Sequence, residues 1–381
     1  MVEFGRIARS SSTPMCSVGD LRDARWADKE ESMNGPRSKD LWSLPRRHFL
    51  YAAGAAAAGA PLFSGRLFAE GAMDSAKPTA TVRVAFVYPP SERLHEEGYY
   101  SWPGSTFDAE GRQKQYTRRL EEIERDYEMD LRIDPVPLDV HADVTQFIQE
   151  IRSSRPDALL LIPFKKGHWE HVVRIVEEAR IPTIILATLG ILLIPHIGQL
   201  HRKPGVFLIN SLDNVETVAR GLRMVKTTRW MRESRIVNID GAEEHEDRVP
   251  VIGTRVRTIP HERFYKAFQD TGATDEVQDL ARTYLETAKD MVEPSEADVL
   301  EAAKTYFVFK RILSEEKADA IMMNCLPGLK RPHQHVPPCM GFMSLRDEGV
   351  PMGCQSDLNA TLTLMLFQQL FDRPGFQHNP S

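Results

Sequence analysis

Apolar and polar positions alternate in blocks from residue 78 onward, and the blocks have two different periods. Thr81–Tyr88 (TVRVAFVY) alternates β-branched or apolar residues with others, the two-residue period of a strand. Ala158–Pro163 (ALLLIP), Pro182–Ala187 (PTIILA) and Ala318–Cys325 (ADAIMMNC) are short apolar runs of the kind buried on both faces of a parallel sheet. Asp130–Pro137, Val206–Asn210, Arg235–Asp240 and Ile252–Ile259 predict further strands. Between them, Arg112–Tyr127 predicts a charged helix, Val144–Ser153 a second helix, His168–Ala179 one with apolar Val172, Val173, Ile175 and Val176, and Asn214–Trp230 an amphipathic one. His261–Asp270, Asp275–Met291 and a helix from Ser295 to Ser314 follow, with Ser295 as cap. At the C-terminus Val350–Gly353 predicts a short buried strand and Cys354–Asp357 a polar turn. Leu358, Leu362, Met365, Leu366 and Leu370 then form the buried face of a last helix, which Asp357 or Asn359 can cap. Strands alternating with helices predict an α/β fold. The division read here is two consecutive doubly wound, Rossmann-like parallel-sheet domains, residues 78–204 and 205–381.

The first 72 residues belong to neither domain. Residues 1–42 are polar and unpatterned, and Arg46-Arg47-His48-Phe49-Leu50 leads into the mild apolar run AAGAAAAGAPLF. Paired arginines ahead of an Ala/Gly-rich run resemble a twin-arginine export signal, which implies a periplasmic or extracellular protein. The run falls short of the ~20 apolar residues a spanning helix needs, so no stable membrane anchor is expected. A net charge of −6 excludes the basic footprint of a nucleic-acid binder. Of four cysteines, Cys16 lies in the leader; Cys325, Cys339 and Cys354 read as free thiols, with one pair among them as the alternative.

No phosphate-binding glycine loop, nucleophile elbow, paired-histidine zinc helix or C-x-x-C motif is present. The chemistry that remains is polar and scattered. Tyr99, Tyr100 and Trp102 in a Pro- and Gly-rich loop can stack on sugar rings or pack as a lid. Glu243, Glu244, His245, Glu246 and Asp247 read as a solvated loop or a metal cluster, and His333 and His335 as a Pro-flanked specificity loop or surface turn. The strongest candidate is the turn Cys354–Asp357, because open α/β sheets place ligands on the turns after their strands.

Asn324-Cys325-Leu326, Pro338-Cys339, Leu345–Pro351 and the block CQSDLNA from Cys354 to Ala360 together resemble the L-fucose/L-arabinose isomerase family. The resemblance implies successive α/β domains ahead of a C-terminal barrel domain, which this chain is expected to lack. It implies aldose–ketose isomerisation at a divalent metal, typically Mn²⁺, and a possible homo-oligomer built through the α/β domains. The family's first metal-binding carboxylate falls on Gln355 and its second on or beside Asn379, so both ligand positions carry amides. An amide adds no charge to a cation site and cannot act as a general base near neutral pH. The expectation is therefore a degenerate metal site. Gln355 and Asp357 are the candidate catalytic positions, and Asn324, Trp102, His335 and Asn359 the candidate substrate-binding ones. The expected partner is a small carbohydrate or polyol. The alternative is a periplasmic sugar-binding or sensory module whose two lobes close on a ligand without chemistry.

Overall fold

The computed structural model describes residues 77–98, 107–191, 197–211, 213–330 and 334–378. All of them belong to one compact unit, Ser64–Ser381. The leader with its arginine pair, the Tyr99–Trp102 loop, His333 and Asn379 lie outside the described residues.

Two five-stranded sheets carry the described residues. The first contains β1 (Thr81–Val87), β2 (Asp130–Ile133), β3 (Ala158–Pro163), β4 (Thr183–Ala187) and β5 (Val206–Asn210) in the order β2-β1-β3-β4-β5, all parallel. Its helices are α1 (Ser91–Glu97), α2 (Ala109–Tyr127), α3 (His141–Ser154), α4 (Trp169–Ala179) and α5 (Val218–Glu233). The two-residue pleat divides β1 between two cores. Val82, Val84 and Phe86 pack with Tyr116, Leu120 and Ile123 of α2 and Val218 and Leu222 of α5. Ala85 and Val87 pack with Phe147 and Ile151 of α3 and Trp169, Val172 and Ile175 of α4. Both faces are covered, which is why β3 is buried at every position.

The second sheet contains β6 (Arg235–Ile239), β7 (His245–Arg248), β8 (Arg255–Ile259), β9 (Ala320–Met323) and β10 (Met352–Cys354) in the order β10-β9-β6-β8-β7. Only β7 is antiparallel. Its helices are α6 (His261–Asp270), α7 (Asp275–Thr287), α8 (Glu296–Glu316), α9 (Leu326–Leu329), α10 (Cys339–Asp347) and α11 (Leu358–Phe371). Ser295 caps α8 in a reciprocal capping box with Asp298, and Asp357 caps α11 by accepting the Ala360 N–H at 2.9 Å. The doubly wound α/β reading therefore holds for both halves.

Three details differ from the sequence reading. The strand at 206–210, expected to open the second domain, pairs with β4 and closes the first sheet, and α5 packs on that sheet as well. The changeover falls at Ser234, between α5 and β6, because no signal in the apolar pattern separates one parallel strand from the next. The segment 245–248, read as a loop, is an exposed edge strand whose side chains face solvent. Residues 339–347, given no element in that reading, form α10, buried through Phe342 and Leu345.

The two sheets meet at their amino ends. Lys77 Nζ donates to Ser234 Oγ at 2.8 Å, forms an ion pair with Asp319 ahead of β9, and lies 4.1 Å from the Trp230 ring. Burial draws the Lys77 ammonium below the ordinary lysine value, against the pull of Asp319. Asp157, ahead of β3, faces Arg229 of α5 at 3.5 Å. α5 and α11 run antiparallel to each other. Trp230 and Met231 share a cluster with Leu362 and Met365, while Arg223 donates to the Leu370 carbonyl at 3.0 Å. Each of these helices returns from the carboxyl end of its own sheet, so the two sheets point their carboxyl ends in opposite directions.

Candidate functional site

In the strand order 2-1-3-4, neighbouring strands whose connections leave in opposite directions open a crevice at their carboxyl ends. In the second sheet those strands are β6 and β9. The residue after β6 is Asp240 and the residue after β9 is Asn324. They meet across the crevice: Asn324 Nδ2 donates to Asp240 Oδ1 at 3.2 Å, and the same oxygen accepts the Gly241 N–H at 2.9 Å. Both residues are half-buried.

His261, the first residue of α6, closes one side. Its Nε2 lies 2.8 Å from the Asn324 carbonyl and 3.8 Å from Asp240 Oδ1, and its Nδ1 lies 3.1 Å from the Gly241 carbonyl. Both partners at hydrogen-bond distance are carbonyls, so a neutral ring can donate to only one of them at a time. The turn after β10 closes the other side. Gln355 and Ser356 both adopt left-handed backbone, with φ of 54° and 52°. Consecutive non-glycine residues in that region are strained, and such strain concentrates where a turn is held for a purpose. The turn is fixed by Ser356 N–H to the Met323 carbonyl (3.2 Å), Ser356 Oγ to Asn238 Oδ1 (2.7 Å) and the Asp357 cap. Gln355 is exposed beside it.

Asn324, Gln355 and Asp357 therefore lie on the turns at one end of the second sheet; the sequence reading set the last two on a turn but held Asn324 within the strand 318–325, which ends at Met323. Asp357 differs in its role, since its carboxylate is engaged at the start of α11. Asn359 is exposed in the first turn of α11. His335 is buried, 4% exposed, with Nδ1 on the Val336 carbonyl and its ring against Phe264, Tyr265 and Phe268. Burial holds its imidazole below the usual histidine range. It is a core residue of the α6 face rather than part of a surface turn, because Gly328 leaves the space that its ring fills. Trp102 and Asn379 lie outside the described residues. Asp240 and His261 were missed; they ended a predicted strand and opened a predicted helix, and only the pairing of β6 with β9 brings them together with Asn324.

The donor set fits Mn²⁺ poorly. Gln355 brings no charge, Asp357 is engaged with the Ala360 N–H, and among the described residues no three His, Cys, Asp or Glu side chains converge. The acidic run at 243–247 spreads along β7, where Glu244 pairs with Arg257 and Glu246 with Arg235. Among the described residues no disulfide joins Cys325, Cys339 and Cys354, and burial pushes the Cys325 thiol up to about 11. Gln377 pins the C-terminal tail beside the turn by accepting from the Cys354 N–H at 3.0 Å and from Arg346 at 3.1 Å. Arg346 is itself buried and drawn below the ordinary arginine value by desolvation.

No protein family matches the sequence, and no curated protein does. Among solved structures, an ABC transporter periplasmic solute binding protein from Actinobacillus succinogenes 130z, with bound D-allose, is similar at 9% identity. The likeness covers 77% of this chain and 93% of that one with a TM-score of 0.23, too loose a superposition to transfer fold or ligand.

Proposed function

We propose that the protein binds a small polyhydroxy compound, a carbohydrate or polyol, in the crevice between β6 and β9 without isomerising it. The observation that carries this reading is the Asp240–Asn324 pair at the switch point, flanked by Ser356, Gln355 and His261. A planar carboxylate and amide side by side offer both acceptors and donors, the set that neighbouring hydroxyl groups require. Turnover is disfavoured by the chemistry of Gln355, which supplies neither a basic carboxylate nor charge for a cation. On this reading the resemblance to the sugar isomerases reflects ancestry, and the resemblance of the leader to a twin-arginine signal supports a location outside the cytoplasm.

A clamp in which two lobes close on one ligand is not supported, because the carboxyl ends of the two sheets point away from each other. The decisive experiment is calorimetric titration with fucose, arabinose and the corresponding alditols, with and without Mn²⁺. Saturable binding without the metal, weakened at least tenfold in Asp240→Ala, is the expected result. Formation of ketose from either aldose in the presence of Mn²⁺ would return the protein to the isomerases.

A further inference from the structure

The amino ends of β1, β2 and β3 surround a small polar cavity that shares no residue with the β6–β9 crevice. Its volume is about 200 Å³, below the ~300–1,000 Å³ of drug-sized pockets, so it suits a small polar group. Four arginines, Arg83, Arg132, Arg155 and Arg229, line it against a single carboxylate, Asp157. They reach it from separate elements. Arg83 and Arg132 are register partners on β1 and β2, Arg155 caps the carboxyl end of α3, and Arg229 lies on α5.

Part of this positive charge is matched within the protein. Arg83 is spent on Asp134, with Nε to Oδ2 at 2.9 Å, and on Glu150 at 3.2 Å. Arg132 is spent on Asp130 at 2.9 Å. The other two are not. Arg229 stands 3.5 Å from both Asp157 and Glu233, an ion-pair separation longer than a good hydrogen bond. Asp157 is itself divided, since it accepts the Thr81 N–H at 3.0 Å and faces Arg232 at 4.0 Å. Among the described residues Arg155 makes no ion pair and no side-chain hydrogen bond. Two guanidinium groups with donors unspent therefore line one hollow. Each presents a planar fork that fits paired oxygens. A carboxylate has two oxygens and serves one fork, whereas a phosphate group has at least three and serves two at once.

We propose that this cavity is an oxyanion site that takes a phosphate group, held between the Arg155 and Arg229 guanidiniums, with Arg83 and Arg132 adding positive charge. The group is either the free ion or the phosphate of a small ester, and two probes separate them. The site belongs to the first sheet and does not depend on the polyol reading of the second.

The test is calorimetric titration of the full chain at low ionic strength with inorganic phosphate and with glycerol 1-phosphate. One equivalent of phosphate should bind. Tighter binding of the ester assigns the site to an esterified phosphate, and equal or weaker binding assigns it to the free ion. Arg155 adopts left-handed backbone with φ of 44°, which glycine takes freely, so Arg155→Gly removes the guanidinium without straining the fold. Phosphate binding should weaken about tenfold or more in this variant, with the thermal midpoint not lowered. Arg180 supplies the matched control: it caps α4 at φ of 54°, is exposed like Arg155, and does not line the cavity. Arg180→Gly should leave phosphate binding intact, and so should Asp240→Ala, which keeps this site distinct from the proposed polyol site. Absence of phosphate binding, unchanged affinity in Arg155→Gly, or equal losses in Arg155→Gly and Arg180→Gly would overturn the assignment.

Discussion

At the scale of single residues, the turn between β10 and α11 sets stability against function. The left-handed backbone at Gln355 costs about 1 kcal/mol for an L-residue, and glycine adopts it freely. Gln355→Gly is expected to raise the denaturant midpoint while weakening polyol binding; a lowered midpoint would show that the turn is not strained. Asp357→Ala should cost about 1 kcal/mol through loss of the cap, and Asp357→Asn much less, measured by urea unfolding. His335 gives the pH dependence. Its ring is held neutral in the folded chain and takes up a proton on unfolding, so its contribution is present above the ordinary histidine range. That contribution is lost as pH falls through about 6.5 toward the lowered folded value. Unfolding free energy should therefore drop between about pH 7 and pH 5, and His335→Leu should flatten the slope. His171, lowered by burial in the same way, keeps part of it.

At the scale of elements, β10 is three residues long and owes its place to close packing rather than to pairing length. A Cβ at Gly353 would stand 2.8 Å from the Met322 Cβ and against the Thr361 hydroxyl, so α11 approaches the strand only because a glycine is there. Gly353→Ala should destabilise by about 1–3 kcal/mol, with hydrogen exchange rising first in β10 and α11. Unchanged protection in both elements would show that the strand has room to adjust. The elements themselves were largely legible: ALLLIP, PTIILA and the helix with Leu362 and Met365 carry unmistakable periods, and Ser295 and Asp357 announced their helices. What the pattern lacked was pairing. Nothing local distinguishes β5 joining β4 from β5 starting a new sheet, because both leave the same apolar run. The exposed strand at 245–248 was illegible for the opposite reason, since an edge strand with charged side chains has no buried face to read. The candidate site was half legible. Asn324 and the 354–357 turn stood beside strands, whereas Asp240 became a partner of Asn324 only once β6 and β9 were known to be neighbours.

At the scale of the whole described unit, Lys77 joins both sheets at their amino ends. Removing it leaves the Asp319 carboxylate, 13% exposed, without its cation, although the Arg235 N–H remains on it at 2.9 Å. Lys77→Met should cost about 2 kcal/mol or more and increase hydrogen exchange around Ser234 and Arg235, the junction of α5 and β6. Exchange unchanged at that junction would mean that the antiparallel α5–α11 contact alone holds the sheets in place. That same contact sets how the protein presents itself to anything larger than a small ligand. With the loops at the carboxyl ends of the two sheets facing opposite ways, a compound on a short tether cannot touch both sets in a single molecule.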